Sequence, residues 1–427
     1  MIETVKTVLK ELNCDTWQIS DLKTEGWEFY FIKNRLDQNR VRNTDHITLT
    51  VFMKNADGTQ IGSASAEIRQ GSIADEIRDT VKTLMERAQL IQNPVYSLHS
   101  PKKAEEKEND EADVRTAAEA YLRLLKDIHQ TAEADLNSTE IFVEKNTEHL
   151  LNSNGIDVTQ TWLSSMIETV INARNEKHEI ELLRQMRSGT CNEEELKKQI
   201  EDTMQYGLDR LKAQKTPNLN RFPVVFRGES AKAIAGWFAE RTDAAMIYRR
   251  MSSWKKDAPY AENISGDRLT LKALKNLSGS ADNRMYDAEG AAMKDLTLIE
   301  NGIVKNFWGS RMFASYIGEN DSFIVSNYEI DGGSESEESI QKEPYLEAVD
   351  FSDFQADSLT GDFFGEIRLA YYHDGRNVIP VSGGSVSGNL NDLIGEMTMS
   401  AQRQRMNNAL IPSFFRLKDV TVTGSEG

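Results

Sequence analysis

The sequence has few cysteines, no long apolar run and fewer basic than acidic residues, and each shortage excludes a class of protein. Cys14 and Cys191 are the only cysteines among 427 residues, too few for a disulfide framework or a cysteine-built zinc site. No segment approaches the roughly 20 consecutive apolar residues of a membrane span. The first residues also lack the charged-then-apolar order of a secretory signal. These absences predict a cytoplasmic protein that does not contact membranes.

The charge balance excludes a further class. Fifty Lys and Arg against 68 Asp and Glu give a formal net charge of −18, whereas a protein that grips the phosphate backbone needs a broad positive surface. We therefore expect no direct contact with nucleic acid. Hydrophobic residues make up 39% of the chain and charged residues 28%, which is enough apolar material for globular cores. At about 150 residues per domain, the length predicts two to three domains.

Apolar periodicity divides the N-terminal half into two mixed α/β units. Residues 1–100 and residues 114–215 each combine helical patterns with strand-like segments. In the second unit the predicted strands are Glu140–Lys145, His149–Ser153, Ile156–Leu163 and Met166–Ala173. Residues 101–113 between them are dominated by Lys and Glu, and this mixed-sign run is predicted to be a solvated linker rather than a binding tail. Asn192 is predicted to cap the last of the helices. The helical patterns are Glu3–Leu12, Ile73–Leu90, Val114–His129 and Asn192–Ala213.

Beyond residue 216 the pattern changes to short strands separated by glycine-containing turns, which predicts a β-rich domain over residues 216–427. Its first elements are predicted to be a buried strand over Phe222–Phe226 and a helix over Gly228–Glu240. The apolar stripe of this helix is predicted to consist of Ala231, Ile234, Ala235 and Phe238. The remaining predicted features are hairpin turns at Asn301-Gly302 and Asp374-Gly375 and a helix over Asn389–Met399.

Short motifs that suggest metal chemistry are incomplete. His178-Glu179 begins like a metalloprotease helix, but Leu182 stands where a second His is needed to share the helix face. Solvent-exposed polar residues on a strand are the favoured interpretation. The histidines are scattered singly, without an i,i+4 pair or a neighbouring Cys, and structural roles are predicted for all of them. They are His46, His99, His129, His149, His178 and His373.

A glycine-rich stretch near the C-terminus resembles a phosphate-binding loop in spacing alone. Gly383 and Gly388 have P-loop spacing, but Asn389-Leu390 stands where Lys and Ser or Thr must reach the phosphates and Mg²⁺. The favoured interpretation is the end of a strand turning into a helix.

The order of several segments resembles the TldD/PmbA family, which comprises peptide-maturing metalloproteases and their non-catalytic partners, once described as modulators of DNA gyrase. The resemblance covers most of the chain, from about Glu28 to Val422, and rests on the order and spacing of the pieces together. The matching pieces are Asn152–Val158, Phe222–Phe226, Leu298–Lys305, Ser326–Ser334, Thr360–Phe363, Ile379–Ser382 and Ser387–Leu390.

In the catalytic branch of that family, the helix after the short strand carries H-E-x-x-x-H, and a Cys near the C-terminus adds a metal ligand. Alignment on the strand Phe222–Phe226 places Glu229 at the position of the general base. Gly228 and Ala233 replace the two His residues, and the stretch Arg405–Asn408, where the Cys is expected, contains none. A hydrogen atom and a methyl group cannot bind zinc.

The resemblance therefore points to the PmbA, or TldE-like, branch of the family. It implies an α+β fold with a two-part mixed α/β N-terminal half and a β-rich, barrel-like or sandwich-like, C-terminal half. It also implies a subunit that is inactive alone, holds no cofactor, and pairs with a TldD-like catalytic subunit or with itself as a homodimer. The implied substrate is a linear, unfolded peptide, whose binding residues the sequence does not identify.

Two alternatives stay open at this stage. One is an autonomous metallopeptidase that uses Glu229 with zinc bound by ligands outside the family pattern. The other is a gyrase-associated regulatory protein without a proteolytic role, a reading that the acidic composition permits without supporting.

Overall fold

The computed structural model describes residues 1–102 and 113–425 of the chain. It is 22% helix and 44% strand, with an α/β region in the N-terminal half and a closed barrel in the C-terminal half, which confirms the predicted α+β class. Within the described residues, no helix has both the length and the apolar character needed to cross a membrane. Most of the predicted linker, residues 101–113, lies outside the described residues.

The N-terminal half is built on one antiparallel sheet, called here the N-terminal sheet. The pairing of β1 with β5, from Gln18↔Asn152 to Ile32↔Ser138, places strands of both predicted α/β units in this sheet. Its strands, in the spatial order β4-β3-β2-β1-β5-β6-β7, are β1 (Trp17–Ile32), β2 (Arg35–Lys54), β3 (Gln60–Ile68), β4 (Asn93–Pro94), β5 (Ala134–Asn152), β6 (Asp157–Arg174) and β7 (Glu179–Ser188).

Two helix pairs cover one face of the N-terminal sheet and form two separate cores. Helices α1 (Ile2–Glu11) and α2 (Ala74–Gln89) pack over the end of the sheet that carries Ile19. Helices α3 (Val114–Asp127) and α4 (Glu193–Arg210) pack over the end that carries Phe29. Because residues 19 and 29 lie an even number of positions apart on β1, the two cores share a face. The predicted helices are confirmed, as is the cap, since the Asn192 side chain accepts a hydrogen bond from Glu195 N at 3.3 Å.

The C-terminal half consists of a five-stranded barrel, called the barrel, and a six-stranded sheet, called the second sheet. The strands are β8 (Gln214–Lys215), β9 (Leu219–Arg227), β10 (Leu271–Leu274), β11 (Leu296–Glu300), β12 (Ile303–Val304), β13 (Asn327–Ile330), β14 (Tyr345–Ala356), β15 (Asp362–His373), β16 (Val378–Ser382), β17 (Ser385–Asn389), β18 (Thr398–Met399), β19 (Arg403–Met406), β20 (Ala409–Pro412) and β21 (Phe414–Thr423). The barrel closes in the order β14-β9-β21-β17-β15 through pairing of β14 with β15, and the second sheet runs β12-β11-β10-β13-β20-β19.

Five helices join these strands. They are α5 (Gly228–Glu240), α6 (Ala244–Tyr248), α7 (Arg311–Tyr316), α8 (Glu337–Ile340) and α9 (Leu390–Leu393). Helix α5 contacts β9, β14 and β21 of the barrel and β20 of the second sheet, so it lies where the two sheets meet. The predicted hairpin turns at Asn301-Gly302 and Asp374-Gly375 are confirmed, since they join β11 to β12 and β15 to β16.

The predicted helix over Asn389–Met399 is wrong, because helical structure ends after the four residues of α9. The carbonyl of Gly395 accepts hydrogen bonds from Ser265 N at 2.8 Å and Gly266 N at 3.0 Å instead of continuing a helix. A Cβ at position 395 would lie 2.4 Å from the carbonyl oxygen of Asn263, so the two backbones are in close approach. Residues 398–399 then pair with β21 as β18. Contacts distant in sequence therefore override the local helical pattern.

Candidate functional site at helix α5

Helix α5 begins directly after the buried part of β9, and a glycine makes the turn between them. Val224, Val225 and Phe226 are fully buried in β9. Gly228 then has a φ of +55°, in the left-handed region that glycine adopts without steric cost. No heavy atom lies within 4 Å of a Cβ built at this position, so the backbone conformation rather than space favours glycine here. The position that carries His in the catalytic branch therefore serves as a backbone turn in this chain.

The buried side of α5 is confirmed as predicted. Its apolar stripe packs into the core shared by the barrel and the second sheet, and it consists of Ala231, Ile234, Ala235 and Phe238. The other side of the helix carries Glu229 and Glu240, which are exposed, and Ala233 and Gly236, which are half-buried. This second side, defined by positions 229, 233, 236 and 240, is called the open face of α5. It consists of two carboxylates separated by two small residues.

One hydroxyl from the second sheet lies close to the open face. A Cβ built on Gly236 would lie 3.9 Å from the Oη of Tyr328, a buried residue of β13. Burial raises the pKa of the Tyr328 phenol, and the carboxylates of Glu240 and Glu229 raise it further. The phenol therefore stays protonated at neutral pH and can donate a hydrogen bond, while Glu229 at the start of the helix can accept one.

The donor set at this place does not fit a zinc ion. Zinc in proteins takes three or four nitrogen, sulfur or oxygen ligands at about 2.0–2.3 Å. Glu229 offers a carboxylate, whereas Gly228 and Ala233 offer none. Within residues 1–102 and 113–425, Glu229 belongs to no group of three or more His, Cys, Asp or Glu side chains close enough to share an ion. We therefore derive no metal-dependent step at α5.

The stretch Arg405–Asn408, where a Cys ligand is expected in the catalytic branch, forms the hairpin between β19 and β20. Asn407 has a φ of +51°, and its amide donates to Asp282 Oδ2 at 2.7 Å and accepts from Ala281 N at 3.1 Å. Asn408 donates to the carbonyl of Ser326 at 2.8 Å. These amides hold the hairpin to neighbouring loops, which is a structural role.

Sequence reasoning missed an ionic network beside the start of α5. Arg227 donates to Glu347 Oε1 at 2.6 Å and to both oxygens of Glu337, at 3.0 and 2.7 Å. Burial raises the pKa of Glu347, but the neighbouring His373, whose Nε2 lies 3.3 Å from Glu347 Oε2, and the charge of Arg227 outweigh it and hold the pKa below its usual range. The partners of Arg227 lie 110 and 120 residues away in the chain, so no local motif could reveal the network.

The other motifs singled out from the sequence lie in turns or on the surface of the protein. His178 is exposed, as predicted, but it lies in the turn before β7 rather than on a strand. Gly383 and Gly384, with φ of +82° and +74°, form the turn between β16 and β17. The end of β17 then turns into the short helix α9, as predicted. His46 and His149 make surface contacts with Glu67 and Asp157, at 2.8 and 2.7 Å.

Comparison with known proteins places this architecture in a family. The family model for the PmbA/TldA metallopeptidase C-terminal domain matches residues 219–424, which include α5, the barrel and the second sheet. An uncharacterized protein of Methanocaldococcus jannaschii is 25% identical over 194 residues. That match covers 39% of this chain and 46% of the relative, so it spans about half of the relative's length.

Two solved structures share the fold over the whole chain. TldE from Thermococcus kodakarensis superposes with a TM-score of 0.77 and 17% identity, covering 99% of this chain and all of the other. A protein of Thermotoga maritima named as a modulator of a DNA gyrase superposes with a TM-score of 0.76 and 15% identity, with the same coverage. At such identities the likeness establishes the fold, and the family model adds the sequence signal of the C-terminal domain. The C-terminal domain, residues 219–424, therefore belongs to the PmbA/TldA metallopeptidase family, and the whole chain has the fold of TldE.

Proposed function

We propose that this protein is a non-catalytic, TldE-like subunit of a peptide-processing metallopeptidase. The observation that carries the proposal is the first part of α5, where Gly228 and Ala233 stand at the two positions expected to carry His in catalytic relatives, so that Glu229 is left as a single carboxylate. A single exposed carboxylate cannot hold and activate a zinc-bound water. The chain would therefore depend on a TldD-like partner for peptide cleavage.

The proposed contribution of this subunit is to help enclose and hold a linear peptide. β7 and β19 end their sheets in the described part of the chain. Strands at sheet edges accept extended peptides through main-chain hydrogen bonds. We propose this mode for peptide backbone, and we propose that the C-terminal half supplies the contact with the catalytic subunit or with a second copy.

Co-expression with a TldD-like chain that carries H-E-x-x-x-H tests the pairing. We expect the two chains to co-elute on size exclusion, and we expect cleavage of an unfolded peptide by the complex but not by this chain alone. Two separate peaks at micromolar concentrations of both chains would contradict the proposal. A complex with gyrase instead of the metallopeptidase would favour a regulatory role.

Activity of the isolated chain distinguishes the proposal from an autonomous metallopeptidase. We expect no peptide cleavage by the purified chain in the presence of Zn²⁺. If cleavage is seen, Glu229→Gln separates the cases. Loss of that cleavage in the variant would establish an independent enzyme that uses Glu229, and unchanged cleavage would indicate a contaminating peptidase.

A further inference from the structure

A second group of potential metal ligands lies away from α5, where the segment after β4 meets the C-terminal half. Several hydrogen bonds fix this segment. Arg311 Nε donates to the carbonyl of Ser97 at 2.9 Å, and the Tyr316 hydroxyl donates to the carbonyl of Pro94. From the N-terminal sheet, Asn152 donates to the carbonyl of His99 at 2.9 Å. The backbone that carries His99 is therefore held from both halves of the molecule.

The opposing loop carries two acidic residues in a defined conformation. Asp287 is 6% exposed, and its Oδ1 accepts from the backbone N of Glu289 and of Ala291, each at 2.9 Å. Its Oδ2 accepts from Ile324 N at 2.8 Å. A carboxylate has about four lone-pair sites, so three backbone donors leave one on Oδ2. Asp287 thus fixes the loop while one of its lone pairs stays available for a cation. Its bond to the backbone N of Glu289 also positions that residue.

The ligand atoms of His99, Asp287 and Glu289 lie within 4.8 Å of one another. His99 Nε2 is buried and has no hydrogen-bond partner among the described residues. It lies 3.9 Å from Glu289 Oε2, which is too far for a hydrogen bond. Two atoms that each bind one metal ion at about 2.0–2.2 Å are separated by up to roughly 4 Å. The unpaired imidazole nitrogen and the facing carboxylate are therefore spaced like two ligands of one ion.

The charges around the group are compatible with a cation. The nearby cations are engaged elsewhere, since Arg311 Nη1 donates to the carbonyl of Asn320 at 2.8 Å and Lys102 pairs with Asp321. Two carboxylates would balance the charge of a divalent ion.

We propose that His99, Asp287 and Glu289 bind one divalent transition-metal ion, with water completing its coordination. One imidazole and two carboxylates favour an ion of the zinc or manganese class over Mg²⁺, which prefers oxygen ligands alone. The ion links the segment that follows β4 to the C-terminal half. This proposal is independent of the function proposed above, because none of the three ligands belongs to the open face of α5.

Metal binding to the full chain tests the site. After removal of bound metal with a chelator, the protein is titrated calorimetrically with ZnCl₂ and, separately, MnCl₂. We expect one ion per chain and, for His99→Gln and Glu289→Gln, affinity lower by roughly tenfold or more. Circular dichroism shows whether each variant is folded. Zn²⁺ should also raise the thermal midpoint of the wild-type protein and leave that of His99→Gln nearly unchanged.

Two matched variants locate the ion. His46→Gln removes a histidine that faces Glu67 on the surface, with Nδ1 2.8 Å from Oε1, and should leave the affinity unchanged. Glu229→Gln should do the same. The proposal is overturned if neither ion binds stoichiometrically, or if both folded ligand variants bind as tightly as wild type. A loss of affinity in Glu229→Gln alone would place the ion at α5 and equally overturn it.

Discussion

Asn152 shows how a single buried amide can fix a turn and a neighbouring segment at once. Its Oδ1 accepts from Asn154 N at 2.9 Å and from Ile156 N at 3.1 Å, while its Nδ2 donates to His99 O at 2.9 Å. The residue is 4% exposed, so water cannot replace these bonds freely. We expect Asn152→Ala to lower the free energy of unfolding by about 2–4 kcal/mol, because buried groups left unpaired cost about 1–3 kcal/mol each. Urea unfolding followed by circular dichroism measures the change.

Asn175 offers a matched control. Its Oδ1 also accepts from two backbone groups, Lys177 N and His178 N, each at 2.9 Å, but the turn is exposed. Water can take over these bonds, so we expect Asn175→Ala to cost less than about 1 kcal/mol. Equal losses in Asn152→Ala and Asn175→Ala would contradict the role given to burial.

The ionic network beside α5 predicts a stability loss in acid. The folded-state pKa of Glu347 lies below its usual value, so this group stabilises the fold above the unfolded pKa of about 4.3. That stability is lost as the pH falls through the folded-state pKa. We therefore expect Glu347→Gln to be less stable than wild type at pH 7, and the difference to shrink as the pH falls to about 3. Thermal midpoints measured across this range test it.

Glu366 on the neighbouring barrel strand β15 is the control for this pH dependence. It is exposed and accepts from Ser352 Oγ at 3.0 Å. Glu366→Gln should follow the wild-type pH profile, because exposed contacts of this kind contribute little. A constant gap between Glu347→Gln and wild type at every pH would show that packing, rather than charge, explains the loss.

Individual site residues were predictable where a local pattern defined them. The buried strand Phe222–Phe226 fixed the alignment with the family motif, and that resemblance then gave the positions of Glu229, Gly228 and Ala233. The proposed metal-binding group was not predictable, because His99 is distant in sequence from Asp287 and Glu289. The three residues become neighbours because the N-terminal half packs against the C-terminal half. The ion pairs of Arg227 could not be anticipated either, because their partners lie 110 and 120 residues further along the C-terminal half.

At the level of elements, two helical glycines predict opposite effects of the same substitution. A Cβ at Gly207 in α4 would lie 2.6 Å from the Cβ of Ala173 and 3.0 Å from Leu182 Cδ1 in the sheet below. At Gly236 in α5 the nearest atom, Tyr328 Oη, is 3.9 Å away. Replacing Gly by Ala favours a helix by up to about 1 kcal/mol, whereas overpacking costs about 1–3 kcal/mol. Gly236→Ala should therefore stabilise the protein and Gly207→Ala should destabilise it.

Denaturant midpoints of the two variants measure this difference in sign. If Gly207→Ala also stabilises the protein, helix propensity outweighs packing in α4, and the close approach of α4 to the sheet is less constrained than the distances indicate. If Gly236→Ala destabilises the protein, the space beside Gly236 does not accept a methyl group.

The elements themselves were predicted unevenly. Helices in the N-terminal half follow an apolar period of about 3.6 residues, and they were found close to their predicted bounds. The strands are much longer than the predicted segments: β5 and β6 each join two predicted strands, because polar residues on their second face interrupt the apolar signal. That face packs in part against the C-terminal half, so its polar side chains find partners that no local window contains.

The two halves of the molecule meet where residues 279–291 cover the polar face of the N-terminal sheet. Arg284 lies over the ring of Trp162 at 3.7 Å, and Gln18 Nε2 donates to the carbonyl of Ala288 at 2.9 Å. Ser188 and Gly189 both donate to the carbonyl of Gly279, at 2.9 and 2.8 Å. The contact is mostly polar and directional, so its strength depends on a few well-placed groups.

Gln160 makes several of the hydrogen bonds between the two halves, so its substitution tests how the halves are coupled. The residue is 5% exposed, its Oε1 accepts from the backbone N of Met285 and of Tyr286 at 3.0 and 3.1 Å, and its Nε2 donates to the carbonyl of Tyr286 at 3.1 Å. Gln160→Leu keeps the volume but leaves these buried groups unpaired, at a cost of about 2–4 kcal/mol. We expect faster hydrogen exchange across residues 279–291, measured by mass spectrometry.

Gln185→Leu removes an exposed amide that donates to Glu168 at 3.1 Å and should leave that exchange unchanged. If the segment stays protected in Gln160→Leu, contacts other than those of Gln160 hold the halves together.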